Sequence, residues 1–310
     1  MANQRIFITG GSGFVGSAAI ELAISRGYQV HALSRSESSD AKLTKLGAVP
    51  VRGDLRAFDV LRQQSAQADI VLHYADSFFD NVAQDYAGVV RTDKAAVDAM
   101  SAGLEGSNKP FVITSGSLVV ASTGAETSED SPLWEKPLND RILSERHALE
   151  QCSKGIKVSA VRLAPFVHGR GASGVKRVMT MFSNAGKAMY VGSGDVVTSA
   201  VHVDDAADLY LLAAEKAEAG EAFNAVAENV TMRDLAEAIG DVLQLPVNSV
   251  FYDDAAAQWG EFFARFLSTE NWASGKKAAD KLGWGPKGRR ILDDVKTGSY
   301  VAVAGEIGHR

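Results

Sequence analysis

Short apolar runs alternate with longer amphipathic stretches over the first half of the chain. The runs are rich in Val, Ile, Leu and Phe, and runs this short are typical of strands that a sheet buries on both faces. The amphipathic stretches between them predict helices with one apolar side. Strands that alternate with helices indicate an α/β fold with a doubly wound parallel sheet. The six predicted strands cover residues 6–9, 28–33, 49–55, 70–75, 111–114 and 158–163.

The first predicted strand runs into three glycines spaced three residues apart, and a helix with an apolar face follows. Gly10 would allow a tight turn, Gly13 would let backbone approach a pyrophosphate, and Gly16 would let the helix pack on the strand. Amide groups at the start of that helix would face the phosphates. This order of elements predicts the phosphate-binding corner of a Rossmann unit rather than an ordinary turn. The residues predicted to contact a dinucleotide here are Thr9, Gly10, Gly13, Phe14, Val15 and Gly16.

The loop after the second strand bears on the choice between NAD(H) and NADP(H). An NAD(H) site commonly carries an acidic residue there, which accepts a hydrogen bond from the ribose 2′-hydroxyl. This chain has Ser34 and Arg35 instead, with no acid before Glu37. Arg35 is placed to pair with a 2′-phosphate, although a solvated loop arginine is the alternative. We therefore expect Ser34 and Arg35 to contact the cofactor and NADP(H) to be preferred.

Two further strand ends carry candidate residues, because ligands of such sheets bind at the carboxyl ends of the strands. Asp54, after the third strand, is placed to bind the adenine amino group or to cap the next helix. Ala75, after the fourth strand, is small enough to allow close approach of a cofactor. Phe78, Phe79 and Tyr86 follow, and they either line a pocket wall or belong to the core.

The regular alternation breaks after the sixth strand. A glycine-rich stretch with a short helical piece follows, and a capping box at Thr231 then opens a longer helix. Seven aromatic residues fall within 251–272 and predict either a pocket roof or a small secondary core. We expect a dinucleotide-binding domain of residues 1–163, with 196–230 returning to it. The smaller C-terminal α/β substrate lobe would then consist of residues 164–195 and 231–310.

Composition and charge exclude several classes of function. The chain of 310 residues has a formal net charge of −6, which argues against a basic surface for binding nucleic acid. No run approaches the roughly 18 apolar residues of a membrane span, and the first strand begins too early for a signal peptide before it. Cys152 is the single cysteine, so no internal disulfide forms, which fits a reducing compartment. We expect a cytoplasmic protein without a nucleic-acid partner, a membrane partner or a metal site.

At these motifs the chain resembles the extended short-chain dehydrogenase/reductases, also called NAD-dependent epimerase/dehydratases. The resemblance covers nearly the whole chain. The segments that carry it are Thr9–Gly16, Gly53–Leu55, His73–Ala75, Arg162–Gly169, Val201–Asp205 and Leu282–Pro286. In the family, the second of these segments lies on the adenine side, and the fourth lies beside the nicotinamide. The further cofactor contacts that the resemblance implies are Leu55, Tyr74, Ala75, Pro165, Val167 and His168.

The positions that correspond to the family's catalytic residues depart from its pattern. Family members use a Tyr-x-x-x-Lys pair on the helix after the fifth strand, with Ser or Thr at the end of that strand. In this chain Arg141 stands at the tyrosine position and Glu145 at the lysine position. Ser115 and Ser117 both fall near the serine position. The chain therefore resembles an atypical subgroup that lacks the usual pair.

Arg141 and Glu145 allow two interpretations. Arg141 is too basic to act as an acid, but it could polarise a carbonyl or hold a carboxylate. Glu145 could be a general acid if burial raised its pKa. Alternatively, the two side chains form an i,i+4 pair on the helix face, worth only about 0.3–0.5 kcal/mol.

The predicted function is that of an NADP(H)-dependent oxidoreductase acting on a small organic carbonyl compound or alcohol. Ser115 or Ser117, with Arg141, would stabilise the developing alkoxide, and Glu145 or a water would supply the proton. Two alternatives stay open: a non-redox isomerase, lyase or cyclase on the same fold, and a catalytically silent nucleotide-binding protein. The resemblance also implies a homodimer, because two long helices often pair the subunits of family members.

Overall fold

Strands and helices alternate through the first half of the chain, as the sequence predicts. The computed structural model describes residues 4–78 and 85–308. Its strands are β1 (Arg5–Thr9), β2 (Gln29–Ser34), β3 (Val49–Arg52), β4 (Ile70–His73), β5 (Pro110–Gly116), β6 (Lys157–Leu163), β7 (Phe166–His168), β8 (Ala188–Val191), β9 (Val197–His202), β10 (Ala222–Ala225), β11 (Glu228–Thr231) and β12 (Val247–Val250). Its α-helices are α1 (Phe14–Ser25), α2 (Glu37–Lys45), α3 (Phe58–Gln67), α4 (Tyr86–Leu104), α5 (Arg141–Glu150), α6 (Ser173–Ala185), α7 (Val203–Lys216), α8 (Met232–Leu243), α9 (Tyr252–Trp259), α10 (Glu261–Ser268), α11 (Lys276–Leu282), α12 (Ile291–Thr297) and α13 (Tyr300–Gly308).

Seven strands form one parallel sheet in the order β3-β2-β1-β4-β5-β6-β10. The first strand pairs with β2 on one side and with β4 on the other, with Ile6 level with Val30 and Ile70. The strand order therefore reverses between β1 and β4, and a crevice opens there at the carboxyl ends of the strands. The predicted doubly wound α/β fold is confirmed.

Both faces of the sheet are covered, because successive side chains of a strand point to opposite faces. Ile6 and Ile8 belong to a buried cluster that includes side chains of α1 and α7. Phe7, between them, belongs to a second cluster with side chains of α3, α4 and α5. The near-continuous apolar runs of the sequence are explained by this two-sided burial.

A smaller lobe forms around a separate core. Strands β11, β9 and β7 make a three-stranded sheet, and β12 pairs with β8. Phe166, Met179 and Phe182 pack there with residues of α8, α12 and α13, among them Tyr300, which is fully buried. This second core confirms the predicted C-terminal α/β lobe.

The predicted division of the chain stays a prediction, although individual elements can be placed. The helix α7 packs against the seven-stranded sheet and β10 extends its edge, so residues 203–225 do return to the first domain. In contrast, β9 pairs with β7 and β11 in the small sheet. Ala278, Leu282 and Trp284 pack in the same cluster as Ile6, so α11 contacts the first domain rather than the lobe. Among the described residues, no helix is both long enough and apolar enough to cross a bilayer.

Candidate active site

The turn between β1 and α1 has its shape because glycine occupies three of its positions. Gly10 has φ +72°, and a Cβ there would lie 2.6 Å from the amide nitrogen of Ala75 at the end of β4. The amide of Gly13 donates to the carbonyl of Gly10 over 3.0 Å, which closes the turn. A Cβ on Gly16 would overlap that same carbonyl. The turn and the start of α1 therefore fit together only without side chains at these positions.

A cleft of about 680 Å³ opens in front of this turn, at the switch point of the sheet. Most of the cofactor contacts that the sequence predicts lie along it. They are Gly10, Gly13, Phe14, Val15, Gly16, Arg35, Asp54, Leu55, Tyr74 and Ala75. A glycine-rich turn, the amino end of a helix and a cleft that runs across neighbouring strand ends fit an extended dinucleotide.

Several residues that line the cleft are not among those that sequence reasoning selected. They are Ser12, Leu33, Ser39, Arg56, Asp76, Ser77, Thr92, Thr114 and Leu163. The sequence could have identified Arg56 as a cleft residue, because it directly follows the segment that resembles the family's adenine-side motif. Its amide donates to a carboxylate oxygen of Asp54 over 2.8 Å. Asp54 thus orders its own loop and lines the cleft. The alternative that it caps the next helix is wrong, because Ala57 precedes α3 and no side chain caps that helix.

Five predicted contact residues are not among those that line the cleft, and one of them, Pro165, lines a second cavity instead. Thr9 is fully buried, and its hydroxyl accepts a hydrogen bond from the amide of Ala75 over 3.3 Å. Ser34 is buried and donates to a carbonyl in the following loop. Val167 packs against the core, and the fully buried His168 is hydrogen-bonded to Asp294. The side chains of Thr9, Ser34, Val167 and His168 are thus engaged in hydrogen bonds or packing beside the cleft, and their contact with the cofactor stays a prediction.

A second cavity of about 240 Å³ adjoins the cleft. The two share Asp76, Thr114 and Leu163 in their walls, so they meet at these residues. Pro165, predicted to lie beside the nicotinamide, lines this second cavity. Much of the remaining wall is apolar or aromatic. These residues are Phe78, Tyr86, Leu118, Val119, Leu138, Ala164, Phe262 and Phe266.

The aromatic candidates of the sequence are divided between this cavity and the lobe core. Phe262 of α10 lies 5.4 Å from Phe78, measured between ring centroids, and both rings line the cavity. Phe266 also lines it, and its ring lies 5.7 Å from that of Phe166 in the lobe core. The helix α10 therefore serves as both pocket wall and core, which combines the two alternatives. Phe79, the third aromatic predicted near β4, lies outside the described residues.

Arg141 stands at the first position of α5 and projects into the second cavity. Its guanidinium donates to a carboxylate oxygen of Asp76 over 2.9 Å and also to the carbonyl of Thr114. Burial lowers the pKa of Arg141, but the carboxylates of Asp93 and Asp76 raise it by more, so the group stays charged. A fixed cation at this point can polarise a carbonyl or stabilise an alkoxide.

A buried hydrogen-bonded chain connects the glycine turn with the surroundings of Arg141. His73 is hydrogen-bonded to the Thr9 hydroxyl over 2.5 Å and to Asp93 over 3.1 Å. Burial raises the pKa of Asp93, but Arg141 and His73 outweigh that effect and bring this pKa to about 2. Asp93 is therefore ionised at neutral pH and provides a countercharge for Arg141. The sequence did not indicate this role of Asp93, because the residue lies in the middle of α4 and belongs to no motif.

The two candidate serines have different surroundings. Ser115 lines the second cavity and is 4 % exposed, and within the described part of the chain its hydroxyl has no hydrogen-bond partner. Ser117 donates to the side-chain oxygen of Asn271 over 2.7 Å. Because buried hydroxyls are normally hydrogen-bonded, the orphaned hydroxyl of Ser115 marks it as the serine that can bind a ligand.

Glu145 lies away from both cavity walls, buried between α5 and β6. Its carboxylate accepts hydrogen bonds from the guanidinium of Arg162 at 2.6 and 3.0 Å, and the two side chains are only 2 % and 7 % exposed. Arg141 pairs with Asp76 instead. The alternative of an i,i+4 pair between Arg141 and Glu145 is therefore wrong, because each finds a partner in another element.

Comparisons with known proteins agree with this geometry. Residues 6–226 match the model of the NAD dependent epimerase/dehydratase family. An uncharacterized protein of Schizosaccharomyces pombe is 35 % identical over 299 residues, which cover 96 % of this chain and all of that protein. A 4-hydroxy-2-methyl-3-oxo-4-farnesyl-3,4-dihydroquinoline-1-oxide ketoreductase of Stigmatella aurantiaca is 26 % identical over 99 % of this chain and 94 % of its own.

Similarity to solved structures concerns the fold. The crystal structure of gox2253 superposes with a TM-score of 0.79 at 22 % identity and covers 99 % of both chains. The family match spans the glycine turn and the strands of the seven-stranded sheet. It includes the ends of β5 and β6, which line the second cavity. The resemblance inferred from the motifs is thereby confirmed. The chain belongs to the NAD-dependent epimerase/dehydratase family, whose members are nicotinamide-dependent dehydrogenases, reductases and epimerases.

Proposed function

We propose that this protein is an NADP(H)-dependent oxidoreductase that reduces a small organic carbonyl compound, or oxidises the corresponding alcohol. One observation carries the proposal. A cleft lined by the glycine turn shares three wall residues with a largely apolar cavity that is lined by Ser115 and Arg141. A dinucleotide held in the cleft would therefore have its reactive end next to a pocket with two hydrogen-bond donors.

The residues of the cleft fit the separate parts of the cofactor. Amides of the glycine turn and of the first turn of α1 would hold the pyrophosphate. Asp54, Tyr74 and Ala75 line the cleft, and Asp54 would accept a hydrogen bond from the adenine amino group. When bound, the nicotinamide would supply or accept a hydride.

A preference for NADP(H) is supported by the residues at the adenine end. Arg35, Ser39 and Arg56 all line the cleft there. Two guanidinium groups and a hydroxyl suit a phosphate monoester, because charge-assisted hydrogen bonds to phosphate are short and strong. The loop after β2 has no carboxylate before Glu37 that would repel the 2′-phosphate.

Within the second cavity, the chain's own residues can bind and polarise a carbonyl group. The Ser115 hydroxyl is free to donate to the carbonyl oxygen, and Arg141 stays charged and fixed beside it. Both groups would bind an alkoxide more tightly than a neutral carbonyl, which is the condition for accelerating the reaction. The predicted acid, Glu145, is already engaged with Arg162.

The walls of the cavity favour an apolar, ring-containing substrate. Phe78, Phe262 and Phe266 present aromatic surfaces, and the volume of about 240 Å³ suits a molecule of modest size. The Stigmatella relative named as a ketoreductase has a substrate with a quinoline ring in its name. Aromatic aldehydes and ketones are therefore the first compounds to test.

The test is a stopped-flow measurement of the loss of NADPH absorbance with a panel of aromatic and aliphatic aldehydes and ketones. We expect turnover with at least one aromatic carbonyl compound. A parallel titration measures NADPH binding without chemistry. The proposal fails if the protein binds NADPH tightly and no member of the panel oxidises it, because a silent binding protein or a non-redox enzyme would behave in that way.

A further inference from the structure

Tyr86 is the one described tyrosine that lines the second cavity. It is the first residue of α4, where the side chain of Asp85 caps the helix by accepting from the amide of Ala87. In the family's pattern the catalytic tyrosine lies on α5, at the position where this chain has Arg141. Tyr86 thus places a phenol in the same cavity from a different helix.

The ring of Tyr86 is held by a connected set of contacts. Its centroid lies 5.4 Å from that of Phe78, whose amide donates to Asp76 over 2.6 Å. The other carboxylate oxygen of Asp76 accepts from Arg141 over 2.9 Å. Arg141 lines the same cavity as Tyr86, and its charge lowers the pKa of the Tyr86 hydroxyl. Asp76 therefore contacts both the residue whose ring packs on Tyr86 and the cation that shares the cavity with it.

The charges around this hydroxyl come from three elements. The positive charge of Arg141 of α5 favours a phenolate, whereas the carboxylates of Asp76 after β4 and Asp93 of α4 disfavour one. Burial raises the pKa of Tyr86 most strongly, Arg141 lowers it, and the net pKa is about 12. The phenol is therefore protonated at neutral pH and has a proton to give. The adjacent guanidinium is in place to stabilise the phenolate that remains afterwards.

We propose that Tyr86 is the proton donor of carbonyl reduction in this protein and that Arg141 is its positioning residue. This inference rests on the proposed oxidoreductase function. As the carbonyl carbon gains two electrons and a hydrogen, negative charge collects on the carbonyl oxygen. The O–H bond of Tyr86 then breaks, its electron pair stays on the phenolate oxygen, and the proton forms the hydroxyl of the product alcohol. Solvent water reprotonates the phenolate.

The first experiment compares Y86F with Y28F, using the carbonyl compound that the wild type reduces best. Tyr28 is a matched control, because its buried hydroxyl donates to Glu215 over 3.0 Å, outside both cavity walls. We expect Y86F to lower the single-turnover rate by about 100-fold or more, which is the usual range for loss of a general acid. NADPH binding, followed by fluorescence, should be unchanged in both variants. A full rate in Y86F overturns the proposal while the oxidoreductase function stands.

The second experiment is independent of turnover and uses the protein without cofactor. Replacing Tyr86 with 3-nitrotyrosine gives a phenol whose ionised form absorbs visible light, so its pKa can be titrated directly. We expect R141Q to raise that pKa by about one unit or more, because an opposing charge in contact typically shifts it that far. R141K keeps the charge and should restore most of the effect. An unchanged pKa in R141Q overturns the coupling between the two residues, whether or not any substrate has been found.

Discussion

At the scale of single residues, the site depends on positions where a side chain is absent as much as on those where one is present. Gly16 shows this, because its missing Cβ lets α1 start against the carbonyl of Gly10. The three glycines could be predicted from their spacing alone. Tyr86 and Asp76 could not, because they meet Arg141 only after folding brings together segments about 60 residues apart in sequence.

Substituting Gly16 with alanine tests the glycine turn. The added Cβ would push α1 away from β1, so we expect G16A to lose about 1–3 kcal/mol of unfolding free energy, as overpacked sites do. Its affinity for NADPH should fall at least about tenfold. Urea unfolding and calorimetric titration measure the two effects.

The matched control is G305A, in the helix α13. A Cβ at Gly305 meets open space, so this variant should be neutral or more stable by up to about 1 kcal/mol. If G16A and G305A proved equally stable and bound NADPH equally well, the steric account of the turn would be wrong.

At the scale of secondary structure, helix ends were predictable where local chemistry sets them. The capping box at Thr231 is present, with the amide of Asp234 donating to the threonine hydroxyl over 3.0 Å. Gly27, just after α1, has φ +84°, as expected of a left-handed cap. The partners of charged helix residues were not predictable. Helical spacing suggested that Glu145 pairs with Arg141, whereas β6 supplies Arg162 from 17 residues away.

The buried pair between α5 and β6 gives a prediction about stability. E145Q leaves the guanidinium of Arg162 buried without a countercharge, which should cost about 3–5 kcal/mol of unfolding free energy. The surface pair of Arg62 and Asp59 provides the control, because both side chains are largely exposed. We expect R62M to unfold like the wild type within error.

Urea unfolding checks this comparison, with NADPH affinity measured on the folded variants. We expect E145Q to bind NADPH with unchanged affinity, because Glu145 lies outside both cavity walls. A loss of affinity without any loss of stability would instead place Glu145 in the site.

At the scale of the whole molecule, the seven-stranded sheet was predictable and the small lobe only in outline. The central strands of the large sheet are marked by apolar runs, because the middle of the sheet is buried on both faces. The strand β9 pairs within the lobe and α11 packs on the first domain, and no local pattern indicates either partner. The predicted homodimer and the domain boundaries stay predictions.

Tyr300 of α13 connects that helix with the loop after β7. Ionisation of its buried hydroxyl should lower the stability of the folded protein at alkaline pH. Its hydroxyl accepts from the amide of Gly169 over 3.0 Å and donates to the carbonyl of Ala172 over 2.7 Å. Burial raises its pKa from 10 to about 12. Between these values the unfolded chain ionises while the folded one keeps the proton, so the folded state loses stability as pH rises.

Below pH 10 the Tyr300 hydroxyl is protonated in both states, so we expect it to cause no change in the unfolding free energy with pH. Above that value Tyr300 should contribute a loss of about 1.4 kcal/mol per pH unit. Urea unfolding of wild type and Y300F between pH 8 and pH 11 measures the difference in slope. Y300F should be less stable at pH 8, because it loses the hydrogen bonds of the Tyr300 hydroxyl, and its unfolding free energy should fall less steeply above pH 10. Equal slopes would contradict the assigned ionisation.

The central claim is that the cleft in front of the glycine turn binds NADP(H) and distinguishes it from NAD(H). Calorimetric titration of wild type and R35A with NADPH and with NADH tests this most directly. We expect the wild type to bind NADPH more tightly, and R35A to lose about 10- to 100-fold in affinity for NADPH alone, as loss of a charge-assisted contact predicts. Equal affinity of the wild type for both dinucleotides, or no binding of either, would contradict the account.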